Sequence, residues 1–331
     1  MKLIYLSFVF SLIISLIIAP LVIKYCKNLK ATQTILKYVE AHKVKNGTPT
    51  MGGLIFILGI SLTCIIFLTK NSSLAVVSCA SMHGFGLLGF LDDYIKIKYK
   101  QNLGLNVWQK IVGQVGLSFI ISFFAYSNQF IGSVIDIPFV NNSIDLGGFA
   151  IPFYMFIYLC ITNSVNLTDG LDGLASGVSL IYLLFLGIII NLTYVNLVND
   201  GASLIMQNEY QNLMFVAFAG VGALLAYLVI NCFPAKIFMG DVGSLGLGGL
   251  IGTLTIFSNQ IFIMPILGIC FVWSALSVII QVIHFKKTKK RVFLMAPFHH
   301  HLEMKGVHEN RIVFIYITIT ASIGSLIVCF L

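Results

Sequence analysis

Apolar residues in this chain come in long runs separated by short polar segments. The runs occupy roughly residues 3–23, 51–69, 74–91, 107–127, 150–166, 174–195, 212–230, 243–259, 261–285 and 312–331. Most approach the ~20 residues that carry an α-helix across ~30 Å of hydrocarbon. In lipid each spanning segment must satisfy its own backbone hydrogen bonds, so the runs read as helices. The expected fold class is therefore all-α, a polytopic integral membrane protein whose ten transmembrane helices form a single domain over residues 1–331. If all ten runs cross, the loops alternate sides. One set then holds Lys24, Lys27, Lys30, Lys37, Lys43, Lys45, Lys96, Lys98, Lys100, Lys110 and Lys236, with Lys286, Lys287, Lys289, Lys290, Arg291, Lys305 and Arg311. That is 18 of the 20 Lys and Arg residues. The other side keeps Lys2 and Lys70 with Asp136, Asp145, Asp200 and Glu209. This bias marks the basic side as cytoplasmic and places both termini outside. A miscounted span would scramble the partition, so the asymmetry also checks the count.

Composition agrees. The 331 residues are 58% hydrophobic and only 10% charged, with a mean hydropathy of +0.96, outside the range of soluble domains. A net charge of +8 would suggest nucleic acid in a soluble protein, but here it is the topological signal, and no nucleic-acid role is expected. The first run resembles a signal peptide, yet Lys24, Lys27 and Lys30 stand where small cleavage-site residues would be, so it reads as an uncleaved first span. The seven cysteines are scattered without a CxxC pair, which excludes a disulfide framework and a thiolate metal site.

Five segments on the cytoplasmic side carry residues that packing does not require. In HKVKNGTPTMGG (42–53), Thr50 reads as a helix cap or as part of a binding loop. LDDYIKIKYK (91–100) places Asp92 and Asp93 at a membrane boundary, where adjacent carboxylates need water or compensation. Lys96 lies one helical turn after Asp92, so a solvated helix end with salt bridges also fits. The two aspartates point about 100° apart on a helix and are not expected to share one ligand identically. In TNSVNLTDGLDGLASG (162–177), Asn163, Asn166, Asp169 and Asp172 recur every third position. Read as helix, the last three share one face and demand a cation or a hydrogen-bonded ligand. NCFPAKIFMGDVGSLGLGG (231–249) sets Asp241 at a helix start, as a cap or as an Mg²⁺ ligand. Finally, KKTKKRVFLMAPFHHHLEMKG (286–306) holds His299, His300 and His301, which diverge too far for a common zinc site. Protonatable imidazoles among basic residues suit a pyrophosphate, and the basic run also suits membrane lipid headgroups. Hard oxygen ligands imply Mg²⁺ or Mn²⁺, and Lys with His implies phosphate. A site of this kind at the cytoplasmic boundary fits one soluble phosphorylated substrate and one lipid-borne one.

In these five segments the chain resembles the phospho-N-acetylmuramoyl-pentapeptide-transferase family, and the resemblance extends over essentially the whole length. The aspartate motifs are shared with the wider polyprenyl-phosphate N-acetylhexosamine-1-phosphate transferase superfamily, whereas TPTMGG and MAPFHHHLE are specific to the muramoyl-pentapeptide branch. The resemblance implies transfer of phospho-N-acetylmuramoyl-pentapeptide from UDP to undecaprenyl phosphate, with release of UMP, in the bacterial cytoplasmic (inner) membrane. It implies Mg²⁺ as cofactor, with Mn²⁺ an alternative, and a homodimer. By motif, Asp92, Asp93, Asp241 and His299 are the implied catalytic residues. Asp241 is the implied metal ligand, with Asp169 or Asp172 as further candidates. Lys45, Thr50, Lys96, Lys100, Asn166, Asp169, Asp172, Asn231, Gln281, His300 and His301 are implied to bind substrate.

Two other functions fit parts of the pattern. A sister transferase using UDP-N-acetylglucosamine would share the aspartates, and MAPFHHHLE argues against it. A cation-coupled transporter would carry its carboxylates at mid-membrane, and here they sit at span ends on one side.

Overall fold

The computed structural model describes residues 2–29, 47–99, 101, 103–140 and 142–331. Every apolar run falls on a helix. In chain order these are α1 (Lys2–Asn28), α2 (Gly53–Phe67), α3 (Ser73–Tyr99), α4 (Val107–Ser127), α5 (Ala150–Thr168), α6 (Leu174–Asn199), α7 (Leu204–Asn231) and α8 (Gly240–Phe257). A single turn, α9 (Met264–Leu267), leads into α10 (Ile269–Thr288), followed by α11 (Phe298–Met304) and α12 (Glu309–Phe330). Among the described residues, nine helices are long and apolar enough to cross a membrane. The second run gives only the 15 residues of α2, about 22 Å of helix, short of a full hydrocarbon thickness.

Burial is arranged as lipid requires. Outward faces carry large apolar side chains, such as Ile65 at 78% exposure, Phe314 at 68% and Leu21 at 66%. α8 is the central helix, with every residue from Val242 to Phe257 buried. Its glycines allow the neighbours to come close, as small residues do at membrane helix crossings. A Cβ on Gly248 would meet the Thr162 backbone on α5 at 2.6 Å, and one on Gly249 would meet the Phe85 ring on α3 at 2.6 Å. α1 uses a stripe of Ser7, Ser11, Ser15 and Ala19, one per turn, all buried. Ser11 Oγ donates to the Ala219 carbonyl of α7.

At the far end from the five polar motifs, α7 caps its neighbours. Glu209 accepts from the backbone N–H groups of Ser73 (3.0 Å) and Leu74 (2.9 Å), and Asn212 Oδ1 accepts from Thr69 N–H (2.9 Å). The Glu209 bonds satisfy N–H groups at the start of α3 that have no partner within the helix, and the Asn212 bond holds the connection before it. The 128–149 segment contains an antiparallel hairpin, β1 (Val134–Ile137) with β2 (Asn142–Asp145), in register Ile135↔Ile144. Asn259 pins it by donating to Asp136 Oδ2 at 2.7 Å.

Two expectations fail here. The 163–172 repeat does not lie along one helical face, because α5 stops at Thr168 and Asp169–Gly173 form a turn. Gly173, the residue before α6, takes φ +83°, a left-handed conformation that glycine adopts at little cost. Nor does Thr50 cap α2: the N-cap is Gly52, without a side-chain hydrogen bond, and Thr50 is buried beside Gly240.

Candidate active site

Asp92 and Asp93 lie near the end of α3, and Asp241 lies in the first turn of α8. One carboxylate oxygen from each falls within 4.8 Å of the others. Asp92 and Asp93 therefore enter one cluster, each with its own backbone donor. The approach of α8 reconciles their different directions. Gly89, one turn before Asp93, lies so close to α8 that a Cβ there would be 2.0 Å from the Asp241 carbonyl oxygen.

The cluster is balanced by two lysines. Lys96 Nζ contacts Asp92 and donates to Asp241 Oδ2 at 3.0 Å, with Asp93 Oδ1 at 3.6 Å. Lys110, from the first turn of α4, donates to the same Asp241 oxygen at 2.9 Å. Two ammonium groups thus offset most of the charge that three carboxylates can carry. Neutral donors complete the set. Asn166 Nδ2 reaches Asp241 Oδ1 at 2.7 Å and Ser244 Oγ at 2.8 Å. Leu105 N–H donates to Asp92 Oδ1 at 2.9 Å, and Val242 N–H to Asp93 Oδ2 at 3.1 Å. Asp93 thus fills part of the free N-terminus of α8, which would otherwise be open to an anion.

The TPTMGG loop is stitched to the segment before Asp241. Phe238 N–H donates to Pro49 O (2.8 Å), Gly52 N–H to Phe238 O (2.8 Å) and Gly53 N–H to Met239 O (3.0 Å). Thr50 Oγ1 lies close enough to Gly240 to meet a Cβ there at 2.8 Å.

Asp169, in the turn after α5, has no hydrogen bond to its carboxylate among the described residues. Its pKa is pushed well above the usual carboxylate value, first by burial and then by Asp241, Asp93 and Asp172. Asp172 faces the supporting structure, since its Oδ2 accepts from Ala235 N–H at 3.0 Å. Asn231 does the same: it accepts from Gly173 N–H (3.1 Å) and donates to Ile237 O (3.0 Å).

The three histidines on α11 do diverge. His299 is fully buried beneath the 169–173 turn, where a Cβ on Gly170 would meet its Nε2 at 2.2 Å and His300 Nε2 at 3.0 Å. Among the described residues, neither ring nitrogen of His299 has a hydrogen-bond partner. Burial, then the adjacent His300, lowers its pKa to about 3, so it is neutral near pH 7. His300 Nδ1 pairs with Glu303 at 3.0 Å. His301 Nδ1 accepts from Leu294 N–H at 3.1 Å, facing the preceding loop. Gln281 is also tied to that loop, accepting from Val292 and Phe293 N–H groups at 3.0 Å each.

The structure therefore gathers Asp92, Asp93, Lys96, Asn166 and Asp241 by direct contact, with Thr50 and Asp169 beside them. Asp172, Asn231, Gln281 and His301 brace the surrounding loops. Lys45 and Lys100 lie outside the described residues. Sequence reasoning passed over Lys110, Ser244 and Glu309. Lys110 and Glu309 each had a signal, a charged residue at the edge of an apolar run.

The glycosyl transferase family 4 profile matches residues 74–259, and the phospho-N-acetylmuramoyl-pentapeptide-transferase signature 1 matches residues 45–57. A phospho-N-acetylmuramoyl-pentapeptide-transferase of Clostridioides difficile (strain 630) is 44% identical over 309 residues, covering 93% of this chain and 91% of that protein. One from Thermoanaerobacter sp. (strain X514) is 41% identical over 316 residues, with 95% and 94% covered. One from Clostridium perfringens (strain 13 / Type A) is 42% identical over 316 residues, also with 95% and 94% covered.

Proposed function

Since the chain belongs to the phospho-N-acetylmuramoyl-pentapeptide-transferase family of multi-pass bacterial membrane proteins, we propose that it transfers phospho-N-acetylmuramoyl-pentapeptide from UDP to undecaprenyl phosphate. An oxygen of the lipid phosphate attacks the sugar-bearing phosphorus. The bond from that phosphorus to the bridging oxygen breaks, and the electron pair leaves with UMP. The lipid retains a diphosphate-linked sugar. The observation that carries this reading is the meeting of three carboxylates and two lysines at one end of the bundle, beside the family signature.

The donor set suits a divalent cation. Asp92, Asp93 and Asp241 offer hard oxygens within 4.8 Å of one another, and they already hold two ammonium groups. These three would hold Mg²⁺, or Mn²⁺ in its place, with Asp169 the next candidate. Asp172 is a weaker candidate, because its carboxylate turns to Ala235 on the supporting loop and not to the cluster. When bound, the ion supplies charge neutralisation at the pyrophosphate.

The remaining roles fall to this chain's own residues. Lys96 and Lys110 offer ammonium donors to phosphate oxygens. Asp92 orients the lipid phosphate or takes its proton. A phosphate monoester, with a second pKa of ~6, is largely dianionic near neutral pH, which favours direct attack. Positioning and charge neutralisation then dominate the catalysis. Neutral His299 walls the site under the Asp169 turn. We also propose that α2 crosses the membrane, giving ten spans, outward termini and a cytoplasmic site. The basic-residue partition supports this topology.

The test is UMP release by purified protein in nanodiscs with undecaprenyl phosphate. UDP-N-acetylmuramoyl-pentapeptide should support turnover and UDP-N-acetylglucosamine should not. Comparable turnover on both would favour the sister-transferase reading.

A further inference from the structure

The turn carrying Asp169 and Asp172 interrupts two helices, so its backbone groups must find partners elsewhere. They find them far away in the chain. Asp172 N–H donates to Glu309 Oε1, from the first turn of α12, 137 residues later. Gly173 N–H goes to Asn231 on α7, and the Asp172 carboxylate accepts from Ala235 on the loop that leads to Asp241. Asp172 and Glu309 are both buried, at 4% and 8% exposure. A carboxylate at Glu309 is favoured by its own helix, because the N-terminus of α12 attracts negative charge. The anion is thereby anchored while one of its oxygens reaches the turn.

We propose that Glu309 is a positioning residue for the transfer reaction, acting through the backbone of Asp172. It sets how the 169–173 turn stands against the 232–239 loop, and so how Asp169 faces Asp93 and Asp241. Asp169 has no side-chain hydrogen bond of its own among the described residues, so the turn's backbone alone determines its place. Slack in that backbone is passed directly to its carboxylate, and displacements of about 1 Å in a site of this kind cost on the order of a hundredfold in rate. The inference rests on the transferase reading above.

Three variants in nanodiscs separate the ways Glu309 can act. Glu309→Gln keeps the reach and the acceptor oxygen but loses the charge. Glu309→Asp keeps the charge but withdraws the acceptor by about one carbon–carbon bond. Glu309→Ala removes both. UMP release gives kcat and KM for the UDP-linked substrate, and thermal unfolding is followed on the same samples. Glu309→Gln should stay within about threefold of wild-type kcat. Glu309→Asp and Glu309→Ala should lose roughly ten- to a hundredfold in kcat, the scale of a displacement of about 1 Å at the site, with KM little changed and only a modest drop in unfolding temperature from one unsatisfied buried N–H. If Glu309→Asp works better than Glu309→Gln, the role is charge and the proposal is overturned. It is also overturned if kcat falls only in step with unfolding, and Glu309→Asp decides this even where Glu309→Ala does not fold. Absence of UMP release from the wild type would instead sink the transferase reading itself.

Discussion

At Asp241 two ammonium groups and one amide converge on a single carboxylate, while Asp92 and Asp93 are each held by a backbone N–H. Asp241 is thus the electrostatic centre of the cluster and not a helix cap. Asp241→Asn removes its charge but leaves an oxygen for the lysines. Turnover should fall about a hundredfold or more, the range for losing one preorganised electrostatic contact, while the helical circular dichroism spectrum is retained. Wild-type turnover at ordinary Mg²⁺ concentrations would exclude Asp241 as a metal ligand. The residues of this cluster were legible because carboxylates and amides stand out at the ends of apolar runs. Their orientations were not. Asp172, Asn231 and Gln281 read in the sequence like ligand-facing groups, yet each is bonded to backbone in a distant or separate loop. Residue type alone does not distinguish a side chain that meets a substrate from one that meets an amide.

The site depends on how closely α3 and α8 approach. Gly89 is the contact that permits it, since any Cβ there would run into the Asp241 backbone. Gly89→Ala should separate the two helices and pull Asp93 away from Val242. Overpacking of this kind costs about 1–3 kcal/mol. The melting temperature in detergent should drop and turnover should fall more than tenfold. Gly116→Ala on α4, where a Cβ meets nothing within 4 Å among the described residues, should change neither. Equal behaviour of the two variants would remove the close approach from the explanation. At this scale the sequence predicted the helices well, because a spanning helix announces itself by length and apolarity. The 169–173 turn was hidden because its polar spacing of three mimics a helical face. The hairpin of four-residue strands and the seven-residue α11 are too short for any periodicity to show.

For the whole molecule, the basic-residue partition and the gathering of the polar motifs describe the same polarity. α1 to α8 alternate so that Pro49, Asp92, Asp169 and Asp241 meet at one end, while Thr69, Ser73, Glu209 and Asn212 meet at the other. A reporter fused after Leu331 should therefore behave as extracytoplasmic and one inserted near Lys289 as cytoplasmic. Both on one side would mean a miscounted span. We propose that this bundle joins a phosphorylated sugar to a lipid phosphate at its cytoplasmic face. The most direct measurement follows the phosphorus itself. UDP-N-acetylmuramoyl-pentapeptide labelled with ³²P at the sugar-bearing phosphate is incubated with the protein and undecaprenyl phosphate, and the label is traced. Attack at that phosphorus carries the label into the lipid fraction and leaves the released UMP unlabelled. Label remaining with the nucleotide as UDP would mean that the sugar–oxygen bond is the one broken, and would contradict the account.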